Sequence, residues 1–378
     1  MRKPFLDNQR YIIVLLVIFY HIFYLFNSVG VITNVAIPGI PAADVVEYLL
    51  YPWFMVSLFV ISGICARYSL EAMDAGNAGC YAESGTLSGI QRRQTHRHFL
   101  KTKVRRQLLP SIAGIFLIGW SNGWVTNQYT DMFMGNGAAL PGFVKYLIYC
   151  MCGIGVLWFL HQLFLAELVL VLVRRLDRKD RLYRLGGKVT FPVLCLMMFA
   201  LWGSAQILNT PVIEVYRNGI YIFAFLVGYF VFSHDHVQEM AAKYAPVLLA
   251  VSGILAVVYT VTYWGENYTT MANLKSLLTN AYAWFAVLAV LGAGKRWLDR
   301  ETKFTGYMAG RSFGFYVLHY PVLALGAYVL DQWLHLPGWA MYLILPVVAV
   351  IVLPCLVGVV KRVPVLRLLL LGESRHHS

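Results

Sequence analysis

Long apolar runs alternate with short polar segments along the whole chain. Ten runs are long enough to cross a bilayer as helices, because about 20 apolar residues span the hydrocarbon core. The segments between them carry Pro, Gly, Asn and charged residues, which are typical of loops. The pattern therefore predicts an all-α polytopic membrane protein with ten transmembrane helices, at residues 9–29, 48–67, 107–125, 154–173, 189–208, 217–233, 244–264, 274–293, 311–330 and 339–360.

Basic residues are divided unequally between the two sets of loops. If the N-terminus is cytoplasmic, 28 of the 31 Lys and Arg residues lie on the cytoplasmic side, and only Lys145, Arg217 and Lys275 lie elsewhere. Such an excess is typical of cytoplasmic loops, so we expect both termini in the cytoplasm. The same bias accounts for the net charge of +13 through attraction to anionic lipid, without a nucleic-acid partner.

Composition excludes a soluble globular protein, because 59% of the residues are hydrophobic and only 13% are charged. We expect one transmembrane domain over residues 1–378, with no separate soluble domain. Residues 68–98 are predicted to form a mobile cytoplasmic loop, and residues 30–47 and 126–153 to form an outer entrance. The six cysteines have neither a zinc-binding spacing nor the pattern of a disulfide framework, so no metal is expected.

The first predicted helix carries an arginine near its start and a histidine inside it. Arg10 and His21 are eleven residues apart, about 16 Å along a helix. With Arg10 at the membrane surface, His21 would lie near the middle of the hydrocarbon core. A buried ionisable residue suggests a functional site. On this helix alone, a histidine satisfied by a neighbouring helix explains the pattern equally well.

A basic cluster precedes the third helix. Lys101, Lys103, Arg105 and Arg106 stand just before Pro110, at the level expected for Arg10. Guanidinium groups suit phosphate oxygens, so the cluster is a candidate site for a phosphorylated ligand. The alternative is a cluster that only sets topology. Arg67 ends the second helix, where Ser62 and Gly63 would allow close helix packing.

The fourth helix contains Glu167, the only acid inside a predicted span. Its carboxyl group must be paired or protonated there, and we expect Arg10 or a ligand amine as its partner. His161 lies six positions earlier, about 120° around the helix, so the two side chains should not touch. Trp158 is either a site residue or an interface anchor.

The ninth helix carries a second buried histidine. Ser312, Tyr316 and His319 share one face by their four-then-three spacing. Pro321 follows, where a kink would free backbone groups towards a cavity. His319 is predicted to be a structural partner in preference to a catalytic group.

Together these residues resemble the integral-membrane acyltransferase-3 family. The order of the landmarks runs through most of the chain, and the family's paired-arginine motif has lysine in its first place here. The landmarks are Asp7, Arg10 and His21; Phe59 and Ser62-Gly63; Lys103-Val104-Arg105-Arg106 before Pro110; Trp158-Phe159-Leu160; and Ser312, Tyr316 and His319-Tyr320-Pro321.

The resemblance implies an O-acyltransferase of the bacterial cytoplasmic membrane. It would take an acyl group, acetyl in preference to succinyl, from cytoplasmic acyl-CoA and pass it to a hydroxyl of an extracytoplasmic glycan or glycolipid. His21 would be the general base or the acyl carrier. The implied catalytic residues are His21, Arg10 and Glu167; those for coenzyme A are Arg10, Lys103, Arg105, Arg106 and Arg67; Trp158, His161, Ser312, Tyr316 and His319 would support the substrate or the structure.

Two other functions remain open from the residues. A proton-coupled secondary transporter of an anionic solute could use Arg10, His21 and Glu167 as a proton relay. This alternative does not explain why Arg10, at the membrane level of the basic cluster, lies eleven residues before an inner histidine. A non-catalytic membrane scaffold would leave the buried ionisable groups without a purpose. An oligomer is compatible with all three functions.

Overall fold

The computed structural model describes residues 3–79, 89–177, 179–210 and 216–373. These residues form helices and loops, without a β-strand among them, which confirms the predicted all-α fold. The helices are α1 Pro4–Tyr24, α2 Val45–Leu50, α3 Phe54–Gly79, α4 Gly89–Lys103, α5 Leu109–Gly114, α6 Trp120–Tyr129, α7 Gly142–Cys152, α8 Trp158–Leu176, α9 Arg181–Gly186, α10 Phe191–Ala205, α11 Asn218–Val227, α12 Asp235–Lys243, α13 Ala245–Tyr263, α14 Met271–Lys275, α15 Leu277–Trp297, α16 Lys303–Ala309, α17 Ser312–Gln332, α18 Gly338–Arg362 and α19 Pro364–Leu371.

Eight helical segments in the described part of the chain are long and apolar enough to cross a membrane. Two of the ten predicted spans differ from these eight. Residues 218–232 form an apolar segment that bends by 99° into α12, and α10 has only 15 residues. A helix of that length is about 22 Å long, shorter than a typical hydrocarbon core. The count of ten therefore stays a prediction.

Two predicted loops contain helices. α3 continues to Gly79 and α4 begins at Gly89, so most of the predicted mobile segment 68–98 is helical, and its residues 80–88 lie outside the described part. Good helix formers such as Ala, Met, Glu and Leu occupy the extension of α3. The outer segment 126–153 contains α7, which packs against α6 where Gly123 meets the backbone of Tyr149.

α1 packs on α3, α15, α17 and α18 with one face and leaves the opposite face accessible. Its start is attached to the end of α15, because the Asn8 amide donates to the carbonyls of Leu298 at 2.7 Å and Arg300 at 2.8 Å. Carbonyls at a helix C-terminus lack partners within the helix, so this contact satisfies them. The predicted close approach at Gly63 is confirmed, since an added Cβ would overlap the Phe225 carbonyl.

Candidate active site

The face of α1 that carries Arg10 and His21 points into the protein. The two residues differ by only about 20° around the helix. The lipid-accessible side chains of α1 lie on the opposite face, about 120–220° away from His21: Ile12, Leu15, Leu16, Phe19 and Phe23. His21 itself is partly accessible. Its accessible surface therefore lies on the face of α1 that packs against other helices, and not on the lipid-accessible face.

The inner face of α1 is accessible at its two ends only. Arg10 is partly exposed at one end and His21 at the other. Val14 and Val17 lie between them on the same face and are 5% and 1% exposed. In this structure the route between the arginine and the histidine is therefore closed by packed side chains.

His21 is held by two contacts at one ring nitrogen. Its Nδ1 lies 2.7 Å from the Val17 carbonyl oxygen and 3.3 Å from Nε2 of His319. A carbonyl only accepts, so Nδ1 of a neutral His21 carries the proton. The same reasoning applies to His319, whose Nδ1 lies 2.7 Å from the Tyr316 carbonyl. His319 Nε2 then accepts from His21, and the His21 tautomer is set by both contacts.

This arrangement leaves His21 Nε2 as the ring nitrogen with an open lone pair. Its lone pair is available, because among the described residues no hydrogen-bond donor engages it. The ring is surrounded by aromatic side chains, with ring centroids at 5.0 Å for Tyr20, 5.6 Å for Tyr24 and 5.2 Å for Tyr320. An imidazole with one oriented N–H and one open nitrogen can accept a proton or attack a carbonyl carbon.

Glu167 does have a partner, but the partner is not Arg10. Lys103 Nζ lies 2.6 Å from Glu167 Oε1, and the Gln107 amide donates to the same oxygen at 3.0 Å. Arg10 instead pairs with Asp7 at 2.8 Å. The expectation that Arg10 pairs with Glu167 was wrong, because Lys103, at the end of α4, packs beside α8.

The structure brings together part of the predicted phosphate-binding group, which consists of Arg10, Lys103, Arg105 and Arg106. The charges of Arg10, Asp7 and Lys103 all act on the Cys65 thiol, so these side chains share one region of the protein. Arg105 and Arg106 lie in the π-helical turn 104–108, with exposed side chains and with their backbone against Gly372. The two arginines therefore lie beside the C-terminal end of α19.

Arg67 is embedded in a different cluster. Its guanidinium stacks on the Tyr183 ring at 3.6 Å and pairs with Glu71 at 2.6 Å. It also donates to the Tyr229 hydroxyl at 3.4 Å, and Arg174 donates to that hydroxyl from the other side. In this structure the contacts of Arg67 connect α3, α9 and the π-helical turn 228–232.

His161 and Glu167 do not touch, as predicted. His161 Nε2 lies 2.6 Å from the Ser111 hydroxyl, and its Nδ1 lies 3.0 Å from the Tyr216 hydroxyl. Burial raises the pKa of the Tyr216 phenol, so Tyr216 stays neutral in this chain. Ser111 is 0% exposed, so the serine side of this Ser–His contact is buried in the structure. Trp158 packs on Tyr221, with ring centroids at 5.3 Å.

The three residues of α17 have separate partners. Ser312 donates to the Ala309 carbonyl at 3.0 Å, and the Tyr316 hydroxyl donates to the Val156 carbonyl. Only His319 reaches His21. Its role as a structural partner was the preferred prediction, and its contact with Nδ1 of His21 is the geometry that such a role requires.

Two kinds of residue were missed by the sequence reasoning. Gln107 completes the environment of Glu167, and no local pattern marks it. Glu47 is fully buried in α2, but it stands one residue before the predicted span 48–67. A wider boundary for that span would have identified Glu47 as a second buried acid.

Apolar spanning helices around buried ionisable groups define an integral membrane protein with an internal polar site. A family model described as an acyltransferase domain, that of the acyltransferase-3 family, matches residues 3–359, nearly the whole chain. The chain belongs to this family and is a membrane acyltransferase. No curated protein and no solved structure gave a significant match.

Proposed function

We propose that the protein transfers an acyl group from cytoplasmic acyl-CoA to a hydroxyl group of an extracytoplasmic glycan or glycolipid. Acetyl is the preferred acyl group and succinyl the alternative. The proposed location is the bacterial cytoplasmic membrane. Membership of an acyltransferase family favours this function over a proton-coupled transporter or a scaffold.

The observation that supports the proposal most is the pair of contacts at His21 Nδ1, which assigns the proton to that nitrogen. With its Nδ1–H directed to Val17 and His319, the open Nε2 is a general base. In the proposed reaction Nε2 takes the proton of the acceptor hydroxyl while the oxygen attacks the thioester carbonyl. The C–S bond then breaks, and the proton passes from His21 to the coenzyme A thiolate. No redox partner is needed.

The donor would bind at the Arg10 end of α1. Arg10, Lys103, Arg105 and Arg106 are the proposed contacts of the coenzyme's phosphates, since charge-assisted hydrogen bonds to phosphate are strong. Arg10 would exchange Asp7 for a phosphate oxygen at little net cost, because that pair is partly exposed. Lys103 would keep its contact with the buried Glu167 and donate to phosphate through another of its ammonium protons. The thioester must then pass Val14 and Val17 to reach His21, about 16 Å along the helix.

The donor assignment is tested by the kinetics of an arginine variant. Arg106→Ala removes an exposed cation, so the KM for acetyl-CoA should rise about 3–10-fold while the acceptor KM stays unchanged. The measurement is acetyl transfer to a membrane glycolipid extract by protein in lipid nanodiscs. Arg97→Ala on α4, also exposed, is the matched control and should behave as wild type. An unchanged donor KM with a raised acceptor KM would overturn the assignment.

A further inference from the structure

The short helix α19 ends against the turn that carries Arg105 and Arg106. Gly372, the residue after α19, has a φ of +67°, and its N–H donates to the Leu368 carbonyl at 3.0 Å. This left-handed residue caps the helix, at a position where glycine avoids the strain that a Cβ would cause. Helix α19 follows residues 3–359, so the family match gives it no role.

Gly372 packs directly on the backbone of the π-helical turn 104–108. A Cβ built on Gly372 would overlap the Arg105 carbonyl oxygen and would lie 2.7 Å from Arg106 Cα. Backbone atoms cannot rotate away as the end of a flexible side chain can, so a side chain at this position would have to displace the turn or the end of α19. The absence of a Cβ at Gly372 therefore allows α19 to approach the two arginines this closely.

The same turn is also fixed by Glu167 on α8. Lys103 Nζ and the Gln107 amide contact Glu167 Oε1 at 2.6 Å and 3.0 Å. Lys103 and Gln107 flank the two arginines in the chain, so their contacts hold both ends of the arginine-bearing segment. Arg105 and Arg106 themselves remain exposed. Their backbone is thus held by α8 and by α19, while their side chains stay accessible.

We propose that Gly372 positions Arg105 and Arg106 for the phosphates of coenzyme A. This inference rests on the proposed function, in which these arginines bind the donor. An exposed arginine adopts many rotamers, so the place of its Cα limits which phosphate its guanidinium group reaches. A backbone fixed by Gly372 and Glu167 reduces the conformational freedom that is lost when both arginines bind one ligand. Gly372 acts through the turn and is a positioning residue.

The test measures coenzyme A binding by the full-length protein in lipid nanodiscs. Calorimetric titration gives the Kd of coenzyme A, and acetyl transfer to a membrane glycolipid extract gives the donor KM and kcat. In Gly372→Ala the Kd and the donor KM should rise about 3–10-fold, with kcat at saturating donor within about twofold of wild type. Gly372→Asn keeps the Cβ but tolerates the left-handed conformation better, so its Kd should rise by a similar factor.

A second comparison shows whether Gly372 acts through the arginines. Arg105→Ala/Arg106→Ala should itself raise the Kd, because two cations are lost. Addition of Gly372→Ala to this double variant should then change the Kd by less than about twofold, since the groups that it positions are gone. A general loss of structure would instead add its effect to that of the arginine substitutions.

The matched control is Gly265→Ala, in the loop after α13. Gly265 has a φ of +83°, and a Cβ there would meet nothing within 4 Å. The variant therefore introduces comparable backbone strain without a new contact and should keep the wild-type Kd. A Kd raised as much in Gly265→Ala as in Gly372→Ala would overturn the inference.

The inference would also be overturned by a wild-type Kd in Gly372→Ala or Gly372→Asn, or by a full further rise when Gly372→Ala is added to the arginine double variant. These results leave the proposed function intact if the arginine substitutions weaken binding. A wild-type Kd in Arg105→Ala/Arg106→Ala, or no binding of coenzyme A by the wild-type protein, would count against the proposed donor site and would remove the inference with it.

Discussion

At the scale of single residues, the proposed chemistry depends on how the His21 imidazole is oriented. The Val17 carbonyl lies on the same helix as His21 and is present whatever the side chains around it. The second contact comes from His319 on α17, so it depends on how two helices pack. His319 therefore adds orientation, and in the proposed mechanism it would also stabilise the positive charge that His21 gains in the transition state.

Substitution of His319 tests this orienting role. His319→Ala should lower kcat by about 10–100-fold with little change in the donor KM, because His21 loses one of its two constraints. His319→Gln, whose amide oxygen can accept from Nδ1 of His21, should recover part of the loss. The measurement is acyl transfer at saturating donor. Equal activity of the alanine variant and wild type would remove His319 from the mechanism.

The Lys103–Glu167 pair is a second feature at the residue scale. Glu167 is fully buried, so loss of its partner leaves a charge without compensation. Lys103→Met should lower the free energy of unfolding by about 3–5 kcal/mol, and Lys103→Met with Glu167→Gln should lower it much less. Detergent-denaturation titration measures both. Lys101→Met, at an exposed position on α4, is the control. Equal losses in the single and double variants would show that the pair is uncoupled.

Local sequence could not identify this pair. The prediction that Glu167 has a partner is confirmed by Lys103. An ionised carboxylate in an apolar span is too costly without a paired cation. The choice of partner depends on where α4 meets α8, and that is a property of tertiary packing. Arg67 illustrates the same limit, since Tyr183 and Tyr229 are 116 and 162 residues away in the chain.

At the scale of elements, α1 carries both ends of the proposed reaction on one face. The spacing of Arg10 and His21 predicted their separation, and the helical turn predicts that they align. What the spacing could not predict is the packing of Val14 and Val17 between them. The pantetheine arm of acyl-CoA would have to displace side chains packed against Val14 and Val17. These two valines therefore close the proposed path in this structure.

A larger side chain at Val17 tests the path. Val17→Phe should lower kcat at least tenfold, because the donor cannot extend to His21, while coenzyme A still raises the thermal midpoint. Overpacking will cost about 1–3 kcal/mol of stability, which the midpoint without ligand reports. Leu15→Phe, on the lipid-accessible face of α1, is the matched control and should keep wild-type kcat. Unchanged kcat in Val17→Phe would show that the donor takes another route.

Other elements were predicted less completely for identifiable reasons. The helix α7 was missed because its 11 residues are too few to span and lie between Pro and Gly residues typical of loops. The break between α11 and α12 falls at Ser233 and His234, and the span ends there as predicted at residue 233. The bend of 99° after it follows from packing and leaves no signature in the sequence.

At the scale of the whole molecule, the predicted membrane orientation agrees with the proposed position of the donor. The predicted cytoplasmic side holds Arg10 and the basic cluster, and His21 lies about 16 Å further along α1. In the proposed function, this arrangement lets a single chain join a donor from one side of the membrane to an acceptor on the other. The apolar bundle would then supply a low-dielectric interior around the proposed base.

The most direct test uses His21 variants in proteoliposomes with acetyl-CoA on one side only and membrane glycolipid as acceptor. The account predicts that wild-type protein transfers acetyl from the side of Arg10 alone. His21→Ala and His21→Gln should lose about 10²–10⁴-fold in rate while coenzyme A still stabilises both against heat. Transfer at the wild-type rate in either variant, or equal transfer with the donor on the opposite side, would contradict the account.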